Sequence, residues 1–246
     1  MLTKKELEQT IDFVFSREQP EGGFSFAGFM PPTLEDTYYA IKTLKLIEKE
    51  LNRKIPIKKE TIAYIQRIDD DIVDYRLQYQ LLWLCEQFKL KPILINRNQF
   101  IVSKESYEQL YYYVLLKGKI DENNITLNKP IEKLRYVSDL SFLVLIKKKL
   151  KIKFDQQMYV EKIQAIQNND GGFGFDDGST SFLENTYLAV KALSALKKEP
   201  LLLKECVGLV KGCRANNGGY GRSTSTVPTL QATYMATRCL RFLVIR

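Results

Sequence analysis

Apolar residues recur along this chain with helical spacing, in two alternating styles. Between Lys5 and Ser16 they fall at Leu7, Ile11, Val14 and Phe15, one stripe of an amphipathic helix, and Met158 to Gln167 has the same character. The stretch that begins at Leu34 is different. Leu34, Tyr38 and Ile41 line one of its faces while Thr37, Ala40 and Leu44 line another, so it is expected to be sandwiched inside the structure.

This pairing repeats. Gly22-Gly23-Phe24 is followed, twelve residues after its first glycine, by Leu34-Glu35-Asp36-Thr37-Tyr38-Tyr39-Ala40. Gly171-Gly172-Phe173 is followed at the same offset by Leu183-Glu184-Asn185-Thr186-Tyr187-Leu188-Ala189, and Gly218-Gly219-Tyr220 by Leu230-Gln231-Ala232-Thr233-Tyr234-Met235-Ala236. The last two copies lie 47 residues apart and the first two 149 apart, which leaves room for two degenerate copies. Their second helices are expected at Tyr75 to Phe88 and Leu134 to Lys149. The result is a single all-α domain over residues 1–246, with repeats at roughly 1–50, 51–100, 101–153, 154–199 and 200–246. Each repeat is a helical hairpin that cannot bury both faces of its second helix alone, so about five hairpins must stack side by side into a toroid or a horseshoe.

Local signals agree with that plan. Paired glycines accept positive φ and are expected to end the first helix, turning the aromatic that follows them inward. Ser181-Phe182-Leu183-Glu184 reads as a capping box for the second helix, and Glu35 and Gln231 occupy the Glu184 position, preceded by Pro32 and Pro228.

Composition narrows the chemistry. No apolar run reaches the roughly 18 to 20 residues of a membrane helix, and the acidic start argues against a signal peptide, so the cytoplasm is the expected compartment and no transmembrane segment is expected. Cys85, Cys206, Cys213 and Cys239 lie in apolar helical patterns with no C-x-x-C pair and read as reduced core thiols. Histidine is absent, which removes the commonest zinc ligand and the commonest general base near neutral pH. The net charge of +8 gathers in lysine clusters, among them Lys147 to Lys153 and Lys197 with Lys198, that follow the second helices. Acidic residues gather before those helices. Complementing helix dipoles explains both trends, and without a nucleic-acid motif no nucleic-acid partner is expected.

The strings Gln19-Pro20-Glu21-Gly22-Gly23-Phe24 and Gln167-Asn168-Asn169-Asp170-Gly171-Gly172-Phe173, each followed by a Leu-Glu-x-Thr-Tyr-x-Ala helix, resemble the repeat of protein prenyltransferase β-subunits and squalene or oxidosqualene cyclases. The resemblance covers both ends of the chain well and residues 50–155 poorly. It implies an α/α toroid whose second helices surround an apolar, aromatic-lined cavity, and an isoprenoid as the occupant. The catalytic residues do not carry over. Aligned on the tyrosine that follows the zinc ligands, the metal positions become Gln231 and Thr233 in the last copy, Glu35 and Thr37 in the first, and Glu184 and Thr186 in the fourth. With no thiolate there and no His, no zinc is expected. The basic residues that grip diphosphate in the family fall on Ser225 and Pro228. The D-x-D-D acid of the cyclases has no match, because Ile68 stands before Asp69-Asp70-Asp71.

Several residues remain as candidates. Tyr38, Tyr187 and Tyr234 recur at one second-helix position and, with Tyr79 and Trp83, are candidates for lining a ligand cavity through their π-faces, although core packing explains each one singly. Glu35 and Glu184 are candidate general acids if desolvated, set against a capping role. Asp70, Asp71 and Asp74 spell D-D-x-x-D, a magnesium-diphosphate motif in another fold, set against acidic capping of the helix that begins near Tyr75. Three functional readings follow: a toroid holding an isoprenoid or other apolar small molecule with no assigned reaction; a non-catalytic scaffold for a protein partner or a second copy of itself; and a Mg²⁺-dependent prenyl-diphosphate enzyme. The first leads, and it needs no cofactor.

Overall fold

A computed structural model describes residues 2–68, 72, 74–91, 106–118, 127 and 129–244. Ten α-helices follow one another among these residues: α1 (Lys4–Phe15), α2 (Leu34–Leu51), α3 (Lys59–Arg67), α4 (Tyr75–Phe88), α5 (Tyr107–Lys117), α6 (Val137–Lys149), α7 (Gln156–Ala165), α8 (Leu183–Ala195), α9 (Leu203–Gly212) and α10 (Leu230–Val244). α1 packs on α2, α3 on α4, α5 on α6 and α7 on α8, as the expected hairpins. The even-numbered helices are the buried ones: in α6 every residue from Leu140 to Lys147 is buried, and α2 buries residues on all sides from Thr37 to Ile47. The odd ones bury a narrow strip, only Thr61 and Ile65 in α3 and only Cys206 and Val210 in α9. A strip one turn deep is what a helix packed on a single side needs.

These helices belong to two compact units, one of Met1–Gln99 with Arg214–Arg238 and the other of Phe100–Cys213 with Cys239–Arg246. Leu44, Ile47, Ile65, Leu84 and Phe24 centre the core of the first. Leu110, Leu140, Leu143, Ile163, Phe173 and Leu193 centre the core of the second. All four cysteines are buried and none forms a disulfide among the described residues. Burial pushes the thiols of Cys206 up to about 12 and Cys213 up to about 11, Asp170 and Glu184 adding to the effect, and drives Cys239 well above the ordinary range, so these are inert packing residues.

The connection inside each well-matched hairpin is one motif built three times. Phe24, Phe173 and Tyr220 are completely buried. Each aromatic receives a hydroxyl of the helix that follows: the backbone N–H of Phe24, Phe173 and Tyr220 donates to Oγ1 of Thr37, Thr186 and Thr233, each time at 3.0 Å. Each aromatic carbonyl accepts the N–H of the residue just before the second helix, Thr33, Phe182 or Thr229, at 3.0 to 3.1 Å. A buried loop that would otherwise leave backbone groups unmatched is thereby tied to the helix it leads into.

The glycines do something other than ending a helix. α1 and α7 stop at Ser16 and Ile166, both right-handed residues, several positions before Gly22 and Gly171. The first glycine of each pair has φ near +90° (93°, 81° and 89° at Gly22, Gly171 and Gly218) and lies flat against the backbone of the following hairpin's first helix. A Cβ at Gly22 would overlap Glu60, and one at Gly171 would overlap Glu205 and Cys206. A Cβ at Gly218 would overlap Gln9 of α1, so the loop that leads into α10 docks on the first helix by the same contact. Thr10 Oγ1 seals it by donating to the Gly218 carbonyl at 3.0 Å, and Thr61, at the same place in α3, accepts from the Gly23 N–H at 3.1 Å.

The expected capping box is also corrected. α8 is preceded by Phe182, with no side-chain cap, and Ser181 Oγ instead donates to Asp170 in the loop at 2.8 Å. Thr33 and Thr229 cap α2 and α10, so Glu35, Glu184 and Gln231 stand one position too early to reach back. The charge pattern survives in part: acids stand in the first turns of α2, α6 and α8 and bases in the last turns of α2, α6 and α10, while α4 has neither.

Candidate functional site

In the first unit, α2, α4 and the start of α10 bring their equivalent positions together. Tyr38 meets Trp83 edge to face with ring centroids 5.4 Å apart, and Tyr39 meets Tyr38 at 5.2 Å and Tyr234 at 5.7 Å. Lys42 sits one turn beyond Tyr38, and its Nζ lies 4.6 Å from the Trp83 ring centre, 5.3 Å from Tyr38 and 5.5 Å from Tyr234. Each of the three ring faces attracts the ammonium, at about 0.5 to 2 kcal/mol per contact. Trp83 and Tyr234 are half-buried, so part of each ring is open to a ligand. Tyr79 is half-buried against the same core.

One turn toward the start of α2, Glu35 Oε1 pairs with Arg76 Nη1 of α4 at 2.7 Å. Burial still outweighs that ion pair and raises the Glu35 pKa, with Asp36 and Asp74 pushing the same way. Gln80 lies beside this pair and is completely buried. It comes near enough to Glu35 to favour the charged carboxylate, yet neither its Oε1 nor its Nε2 makes a hydrogen bond of ordinary geometry. Gln231, at the Glu35 position of α10, donates from Nε2 to the Tyr39 hydroxyl at 3.3 Å.

The second unit carries a related group. Lys191 of α8 lies 4.8 Å from the Tyr111 ring centre and 5.7 Å from that of Tyr187, and its Nζ donates to the Tyr111 hydroxyl at 3.2 Å. Burial pushes Tyr111 up to about 12, so its phenol stays protonated. Glu184 stands in the first turn of α8.

A family model described as the prenyltransferase alpha-alpha toroid domain matches residues 1–109 and 136–245. The chain belongs to this family. Among solved structures, the toroid is similar to Candida albicans protein geranylgeranyltransferase-I complexed with GGPP, at 15% identity and a TM-score of 0.27 over 98% of this chain and 79% of that one. A search of curated proteins finds no match.

The zinc site of the protein prenyltransferases does not fit this toroid. Thr233 accepts from Tyr220 and donates to the Thr229 carbonyl at 2.7 Å, and Gln231 is held by Tyr39, so neither offers a free donor of the required softness. Among the described residues no three His, Cys, Asp or Glu side chains converge on one point. Asp74 caps α4, accepting from the Leu77 N–H at 2.9 Å, while Asp70 and Asp71 lie outside the described residues. No helix among the described residues is long and apolar enough to cross a membrane.

Of the sequence candidates, the toroid thus gathers Tyr38, Trp83 and Tyr234 around a residue that sequence reading passed over, Lys42. Arg76, Gln80 and Tyr39 were passed over too. A signal was there: Glu35, Tyr38 and Lys42, then Glu184, Tyr187 and Lys191, then Gln231, Tyr234 and Arg238 repeat one polar, tyrosine and cation spacing of i, i+3 and i+7.

Proposed function

We propose that this member of the toroid family binds an apolar, isoprenoid-type ligand along the faces of Tyr38, Tyr79, Trp83 and Tyr234. The observation that supports this is the aromatic group around Lys42, which is contributed by three second helices and leaves Trp83 and Tyr234 half-open. Small-molecule sites combine an apolar lining with a few fixed polar groups, and here these are Glu35, Arg76 and Gln80. Among the described residues, Gln231 and Thr233 stand at the zinc positions and Ser225 and Pro228 at those of the diphosphate clamp, so the reading is one of ligand binding and assigns no prenyl transfer.

Trp83 is the chain's single tryptophan and reports on the site directly. Titration with farnesol or another isoprenoid should change its emission saturably, and native mass spectrometry of the purified protein should show a retained apolar molecule. Unchanged Trp83 emission with every isoprenoid, together with a protein free of apolar ligand, would overturn the reading.

A further inference from the structure

Resting on that reading, we infer that the ligand ends in an uncharged or cationic hydrogen-bond donor, a hydroxyl or an amine, which binds at Gln80 and Glu35, and that it is not a diphosphate. Gln80 is a side chain with no exposed surface whose two amide atoms both lack a conventional partner. Whichever way the amide is turned, one of its atoms is an oxygen that can only accept. Glu35 beside it accepts from Arg76 and favours the approach of the amide's N–H side. With its N–H side turned to Glu35, the Gln80 amide leaves its Oε1 as the unmatched acceptor, and that oxygen calls for a donor.

The surrounding charge points the same way. Asp36 and Asp74 act on Glu35 from its own helix and from the start of α4, and Arg76, the nearest cation, is already paired with Glu35. A diphosphate placed here would face three carboxylates and would have to displace one of them from Arg76. A hydroxyl can donate to Gln80 without disturbing that pair, and an ammonium can donate to Gln80 and Glu35. Gln80 and Trp83 sit on adjacent turns of α4, so a head held at the first leaves its chain against the second.

The test uses the full chain and a matched series, farnesene, farnesol, farnesylamine and farnesyl diphosphate, read by Trp83 emission. One neutral hydrogen bond predicts that farnesol binds about 5- to 10-fold more tightly than farnesene. Farnesyl diphosphate should bind no more tightly than farnesene. Gln80→Leu, which keeps the volume and removes the amide, should abolish the advantage of farnesol over farnesene. Tighter binding of the amine than the alcohol identifies an ammonium head, and the reverse order a hydroxyl. Equal affinity for farnesol and farnesene in the wild-type protein overturns the inference without any variant, as does a preference for the diphosphate. Failure of all four molecules, farnesene included, removes the apolar-ligand reading itself.

Discussion

Thr37, Thr186 and Thr233 show how much one hydroxyl can fix. Each is completely buried and spends its oxygen on the N–H of a buried aromatic. Thr→Val at any of them keeps the shape and strands that N–H, at about 1 to 3 kcal/mol, while Thr→Ser keeps the bond and should lose less. Urea denaturation of the six variants checks this order. Gln80→Leu should act in the opposite sense and raise stability, because it removes two unmatched polar atoms from the interior. Glu35 gives a pH signature. Burial raises its pKa above 4.5, so the folded state holds a proton that the unfolded chain has already released, and stability falls as the pH climbs from 4.5 through the raised value. Glu35→Gln lacks that loss. Melting temperatures across this range should move in favour of the variant as the pH rises, and a constant difference would contradict it.

At the scale of elements, the hairpin-to-hairpin contact rests on a glycine with positive φ. Ala at Gly22, Gly171 or Gly218 combines an unfavourable backbone conformation with a methyl pressed into the next helix's backbone, for a loss of more than about 2 kcal/mol each. Gly28 and Gly178 have open space, so Gly28→Ala should be nearly neutral and serves as the control in the same thermal melts. The hairpins themselves were legible in the sequence because two periodicities alternate and the spacing from glycine to leucine is fixed at twelve. Tyr75 to Phe88 was legible to the residue. α6 was harder, because a helix buried all round shows no stripe, and it lacks the threonine, having Leu140 in its place. The role of the glycines was misjudged for a physical reason: sequence shows that φ is free, and not which backbone lies against the missing Cβ. The site was half legible. Repetition exposed the tyrosine position, but Arg76 is 41 residues from Glu35 and Tyr39 is 192 from Gln231, and no local pattern announces such partners.

At the scale of the whole molecule, the first unit is discontinuous, joining Met1–Gln99 to Arg214–Arg238. Arg214 Nη2 donates to the Glu6 carbonyl and to Gln9 Oε1, both at 3.1 Å, beside the Gly218 contact. Gly218→Ala should therefore speed hydrogen exchange in α1, some 200 residues away in sequence, as much as in its own loop. Peptide-resolved exchange by mass spectrometry checks it, and an α1 as protected as in the wild type would contradict the contact. That contact also sets a timetable. Thr10 and Gly218 are 208 residues apart, and at a synthesis rate of about 5 to 20 residues per second the helix waits roughly 10 to 40 s for its partner to be made. Throughout that interval Gln9, Thr10 and Phe13 are without their final covering on the nascent chain, so the side of α1 that ends up most firmly covered is open to a chaperone or protease until the last loop is made.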